Sequence, residues 1–198
     1  MIKVLLKRQG FTLIELLITM SFVGVISIII TTAYVTGYST FKQELATSVV
    51  QSDGQTILDS LMLDIKNGML IEPPTYSALI NGNSYTTNAN TIIVRVPAVD
   101  SNKQIIYSGT NMLFDRMIYS YDGSSIHKII LAEPSSTRYI KNEVDKILDR
   151  NVLELSFIYD PDENTATHVT ATIHSSIKAG NKQRDITLTG EARLRNHI

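Results

Sequence analysis

Residues 11–35, FTLIELLITMSFVGVISIIITTAYV, form one unbroken apolar run whose only charged residue is Glu15. At about 1.5 Å rise per residue, a helix over this run is roughly 37 Å long, enough to cross a hydrocarbon core of about 30 Å. The chain contains no second run of this kind. Three of its 18 basic residues (Lys3, Lys7 and Arg8) and none of its 19 acidic residues precede the run. A basic flank of this kind is held on the cytoplasmic side of a membrane. It also leaves the remainder of the chain mildly acidic, which argues against nucleic-acid binding, because that needs a concentrated basic surface.

A conventional secretory signal has an apolar core of about 7–15 residues followed by a small-x-small cleavage site. This run is too long, and no such site follows it. A plain signal anchor accounts for the length and the basic flank, but not for the carboxylate. An ionised acid at the centre of a membrane helix costs on the order of 2.5–3.5 kcal/mol on insertion scales. Near the helix start, snorkelling and the positive end of the helix dipole reduce that cost for Glu15.

The stretch Lys7-Arg8-Gln9-Gly10-Phe11-Thr12-Leu13-Ile14-Glu15-Leu16-Leu17-Ile18 resembles the processing motif of type IV prepilins and pseudopilins. That superfamily has a short basic leader ending in Gly, an aromatic first mature residue, and Glu as the fifth. The resemblance implies cleavage between Gly10 and Phe11 by a prepilin peptidase, N-methylation of Phe11, and retention of the apolar helix. It also implies that Glu15 pairs with the Phe11 ammonium of its own or a neighbouring subunit, so that two charges costly in hydrocarbon partly cancel. Thr12 adds either a hydrogen bond at that junction or a helix N-cap. The Pro that many major pilins carry midway along this half is absent here, where the chain reads Ser27-Ile28-Ile29-Ile30-Thr31-Thr32. This tilts the resemblance toward minor pilins and pseudopilins.

Beyond the run, Phe41, Leu45 and Val49 recur four apart, as do Ile57, Leu61 and Ile65, with Val50, Leu58 and Met62 beside them. This makes one apolar stripe, which predicts that the helix continues to about Asn67 and packs on a sheet. Gly68 and Pro73-Pro74 end it, and Asp53-Gly54 is a candidate bend inside it. Strand-like segments follow at 91–96, 103–107, 115–121, 125–131, 152–159, 167–175 and 184–195, several of them separated by turn residues. Residues 139–150 read as a short helix or a loop. Residues 75–90 read as a long exposed loop with a hairpin at Asn81-Gly82, the best candidate for a surface contact.

The expected fold class is α+β, a long N-terminal helix packed on an antiparallel head. Its parts are a leader at 1–10, a membrane or filament-core helix at 11–35, an amphipathic continuation at 36–68, and a β-rich head at 69–198. Residues 55–68, QTILDSLMLDIKNG, and 187–196, TLTGEARLRN, resemble J-type minor pseudopilins and PilW-like minor pilins. The function implied is a minor structural subunit that initiates or caps a type IV pilus or a type II secretion pseudopilus. The alternative is a pilus-tip adhesion or DNA-uptake subunit. The partners implied are the prepilin peptidase/methyltransferase, sister subunits contacted through the N-terminal helix, and a membrane assembly platform. The implied location is the bacterial inner membrane, with the head facing outward.

Nothing in the sequence points to catalysis or to a cofactor. The chain has no cysteine, which excludes disulfides, thiolate metal sites and cysteine nucleophiles. No nucleophile elbow or phosphate-binding loop occurs. His127, His168, His174 and His197 lack metal-ligand spacing, although His168 and His174 share a strand face. Asp160-Pro161-Asp162-Glu163-Asn164 lacks the full EF-hand spacing and its central Gly, and reads as an acidic turn rather than a calcium loop.

Overall fold

The structure, a computed structural model, describes residues 12–80, 82–138, 144–149, 152–179 and 182–195. Among the described residues one helix, α1 (Leu13–Asn67), precedes twelve strands. These are β1 (Leu70–Ile71), β2 (Ala78–Ile80), β3 (Asn83–Tyr85), β4 (Thr91–Pro97), β5 (Tyr107–Ser108), β6 (Asn111–Met112), β7 (Phe114–Tyr121), β8 (Ile126–Leu131), β9 (Val144–Asp149), β10 (Val152–Asp160), β11 (His168–Ala179) and β12 (Lys182–Arg193). All the strand pairs are antiparallel. The α+β class read from the sequence is the class observed. The chain divides into two compact units, Met1–Leu45 and Ala46–Ile198.

In the first unit every described residue except Gln43 is exposed, including Leu17, Ile18, Phe22, Ile29 and Val35. Ser21, Ser27 and Thr32 donate their hydroxyls to the carbonyls of Leu17, Val23 and Ile28. These back-bonds spare the hydroxyls a separate partner and leave an apolar surface. By length and composition this helix is able to cross a membrane.

The second unit has a core because its helical portion meets two sheets. The buried positions of α1 are Gly54, Ile57, Leu58, Leu61, Met62 and Ile65, a three-and-four spacing that aligns them on one face. Ile57, Leu58, Leu61, Met62 and Ile65 join Ile92, Val94 and Val96 of β4, Met117 and Tyr119 of β7, and Ile126 of β8 in one cluster. The same cluster takes Leu155, Phe157, Val169, Ala171, Ile173 and Ala192 from the three-stranded sheet β10-β11-β12. Along β11 apolar side chains therefore alternate inward with the period of two that a one-faced sheet requires.

The five-stranded sheet, in the order β1-β4-β7-β8-β9, is covered on its other face as well. There Ile93, Ile118 and Ile129 pack with Ala78 and Ile80 of the β2–β3 hairpin. Double coverage explains why Thr91-Ile92-Ile93-Val94 reads as a continuous apolar run rather than an alternation.

Two glycines are placed by close approach. A Cβ at Gly68 would lie 2.5 Å from Val94 Cγ1 and 3.0 Å from the Ile65 carbonyl oxygen, and one at Gly54 would lie 2.6 Å from Leu188 Cδ1. Helix α1 runs unbroken through Gly54, so this glycine serves packing against β12. The Gly68 N–H donates to Ile65 O at 3.0 Å, which closes the helix end.

Tyrosines tie the layers together. Tyr119, fully buried, donates to Asp64 Oδ2 at 2.7 Å from the sheet to the helix, and Lys128 pairs with the same oxygen. Tyr159 donates to the carbonyls of Asn88 and Thr91, and Tyr121 to those of Val152 and Leu153, linking the two sheets. Burial pushes the Tyr119 and Tyr159 hydroxyls far above their ordinary range, so both remain donors.

Four sequence expectations need correction. Of residues 139–150, the described ones, 144–149, form strand β9, paired to β8, rather than a helix or loop, while 139–143 and 150 lie outside the described residues; the charges of Val144-Asp145-Lys146 mask the period. Residues 103–107 form no strand of their own: Ile105 makes one bridge to Val99, and β5 begins at Tyr107. The 75–90 segment does form a hairpin, with Gly82 at φ 83°. It is not simply exposed, because Ala78, Ile80 and Thr87 are buried, although Leu79 between them is exposed. Finally, Phe41, Leu45 and Val49 are exposed, so the packed stripe begins at Gly54 rather than Phe41.

Candidate functional site

The first described residues build a closed hydrogen-bond ring. The Thr12 N–H and Thr12 Oγ1 each donate to Glu15 Oε2 at 2.9 Å, and the Glu15 N–H reaches Thr12 Oγ1 at 3.4 Å. Thr12 O accepts the first helical bond, from Leu16 N at 3.1 Å. This is a capping box, with the N-cap hydroxyl and the N3 carboxylate satisfying each other's orphan N–H groups. Of the two roles open for Thr12 in the sequence, the N-cap is the one observed. Only one Glu15 oxygen is engaged: Oε1 accepts no hydrogen bond among the described residues. The carboxylate is therefore half committed to its own helix and half available to an external cation. Gly10 and Phe11, the expected cleavage and methylation positions, lie outside the described residues.

One turn further along, Leu16, Thr19, Met20, Val23 and Gly24 line a shallow apolar groove. Gly24 has open space where its Cβ would be. This face offers van der Waals contact to another apolar surface and no hydrogen-bond chemistry.

In the second unit, a buried charge cluster surrounds Glu72. Its side chain is 1% exposed and receives Arg95 Nε at 2.9 Å, Arg95 Nη2 at 2.7 Å and Arg116 Nε at 2.8 Å. Arg95 and Arg116 are direct cross-strand partners on β4 and β7. Each guanidinium lies over a ring, Arg95 over Phe114 and Arg116 over Tyr76. A similar buried acid, Asp115, takes the Glu133 N–H, the Ser136 hydroxyl and Arg138 Nη1.

A polar cleft of about 310 Å³ lies between the β2–β3 hairpin and the β7–β8 turn, lined by Asn83, Tyr85, Ser120, Asp122 and His127. Asp122 Oδ1 accepts the N–H groups of Ser124 and Ser125, and Oδ2 lies 3.0 Å from His127 Nε2. The Ser124 N–H first, then those of Ser125 and His127, hold the Asp122 carboxyl well below the usual range.

The remaining candidates are quickly placed. Asp162 Oδ1 collects the N–H groups of Asn164 and Thr165 and the Thr165 hydroxyl, which lowers its pKa and makes the acidic stretch a self-bonded turn. Among the described residues no three His, Asp or Glu side chains converge as metal ligands do. His168 and His174 share one face of β11, with His168 Nε2 3.9 Å from Glu191 Oε2. His197 lies outside the described residues.

Sequence reasoning missed the Glu72, Arg95 and Arg116 cluster. Its signal was present: Arg95 is a charge inside the apolar strand Thr91-Ile92-Ile93-Val94-Arg95-Val96, and a charge in such a setting needs a partner. Comparison with protein families, with curated proteins and with solved structures found no match.

Proposed function

We propose that the chain is a minor pilin or pseudopilin, a structural subunit that starts or caps a type IV pilus or a type II secretion pseudopilus. The observation that carries this reading is the half-committed Glu15 carboxylate at the start of a helix whose first part, residues 13–35, is apolar and exposed on all sides. Cleavage after Gly10 by a prepilin peptidase creates an ammonium at Phe11, and N-methylation leaves it cationic. Glu15 Oε1 has no acceptor role within its own helix, so it is free to receive that ammonium from a neighbouring subunit. Burial of both charges among apolar helices is tolerable only when they are paired. The exposed apolar surface then passes from lipid to sister helices, and a membrane assembly platform drives the transfer. In this reading the chain is not an enzyme, and its head projects from the inner membrane.

Intact-mass measurement of the membrane-extracted protein, produced with the peptidase, tests the first step. The expected mass lacks residues 1–10 and gains one methyl group. A mature chain still beginning at Met1 overturns the reading. For the second step, Glu15→Gln preserves the capping box but removes the charge, whereas Glu15→Val removes both. Both variants are expected to be cut normally and to fail to join filaments. Normal assembly of Glu15→Gln would show that the cap, not the charge, is what matters.

A further inference from the structure

The Glu72 cluster contains two guanidiniums and one carboxylate, and so carries one surplus positive charge. One arginine is enough to neutralise and bracket a buried glutamate, as the bidentate Arg95 already does. Arg116 adds only its Nε to Glu72. Neither terminal nitrogen of Arg116 donates to any group among the described residues. Arg116 is also rigid: Glu72 holds its Nε edge and the Tyr76 ring lies 4.8 Å beneath its plane. With side chains 24% and 28% exposed, Arg116 and Arg95 are open to a partner while their cores are fixed. A pre-organised fork with free N–H groups loses little conformational entropy on binding.

We infer that Arg116, with Arg95 beside it, is a docking point for a carboxylate carried on an acidic loop of a neighbouring protein. Three features select this occupant. The surplus is a single charge, so one carboxylate balances it, whereas a dianion such as phosphate leaves a net negative charge beside the buried Glu72. An ion pair at a part-exposed site is too weak to retain a free carboxylate, so the group must arrive on a larger surface. The head as a whole has more acids than bases, which disfavours a polyanion such as nucleic acid. The chain itself shows the kind of segment that fits: at the end of β10 and in the turn after it, the side-chain carboxylates of Asp160 and Glu163 accept no hydrogen bond among the described residues. This inference adds a head-to-neighbour contact to the filament reading above, but it is measured independently of cleavage and assembly.

The test uses the full chain in detergent micelles, with the arginine side-chain N–H resonances as reporters. The probe is a synthetic peptide copying residues 159–165, YDPDENT. Saturable shifts of the Arg116 and Arg95 signals are expected with this peptide, and none with its Asn/Gln counterpart. Arg116→Gln is expected to weaken binding roughly tenfold, and Arg116→Lys to weaken it less, because the charge stays and the fork is lost. Inorganic phosphate or an oligothymidylate binding as tightly as the peptide would overturn the assignment, as would equal shifts from the amide peptide. If Arg116→Gln fails to fold, the wild-type titrations alone decide. Failure here with normal processing and Glu15-dependent assembly would remove the docking point and leave the filament reading intact.

Discussion

The two parts of α1 follow different rules although they share one backbone. Before Ala46 the described helix buries no apolar side chain at all, while from Gly54 onward six positions are buried in a three-and-four repeat. Residues 13–35 of the first part are apolar around the whole circumference, the pattern of a segment meant for lipid or for other helices. The second has one apolar face and keeps Asp59, Leu63, Lys66 and Asn67 outside. The teaching is that helix formation and core formation are separate here. The anchor part is a complete helix with no core, and its stability in isolation comes from propensity, capping and an apolar solvent.

The largest test of this contrast removes the anion shared by Arg95 and Arg116. Glu72→Gln leaves two part-exposed guanidiniums with no anion between them and is expected to cost up to about 5 kcal/mol, read as a lower denaturation midpoint of the head. Next, Leu61→Ala, at a position 1% exposed, is expected to cost about 2–5 kcal/mol. The matching Leu17→Ala in the anchor is expected to leave the same midpoint unchanged. Equal effects at Leu61 and Leu17 would break the comparison.

Glycine substitutions sharpen it further. Gly68→Ala places a methyl against the stiff Val94 and a backbone carbonyl and is expected to cost about 1–3 kcal/mol. Gly24→Ala meets nothing and is expected to gain helix stability of up to about 1 kcal/mol, seen as greater helical circular dichroism in micelles.

The smallest expected effect is a pH dependence. Hydrogen bonding lowers the Asp122 pKa in the folded chain, so its contribution is present above the unfolded value of about 3.9. It is lost as pH falls below that value through the folded one. Asp122→Asn is expected to flatten the acid side of the thermal-stability profile below about pH 4. An unchanged slope would mean that the turn contributes nothing.

Much of this was legible along the chain because it depends on residues close in sequence. The Thr12-x-x-Glu15 ring spans one helical turn, the stop at Gly68 precedes Pro73-Pro74, and six of the seven expected strands were located by β-branched runs. What was missed depends on residues far apart. Strand β9 hides among charges because only its pairing with β8 defines it. The 75–90 hairpin was read as exposed, since nothing local announces that Ala78 and Ile80 cover the second face of the sheet.

The sequence alone therefore determined the apolar anchor, its basic flank, the Glu15 anomaly and the α+β order, all of which follow from hydropathy, periodicity and local capping. Only the tertiary structure decided that the buried stripe starts at Gly54, because that is where β12 comes close enough to need a missing side chain. Only the fold, likewise, brings Glu72, Arg95 and Arg116 together. Their contact is set by strand register, which fixes Arg95 opposite Arg116 across a separation the linear chain does not encode.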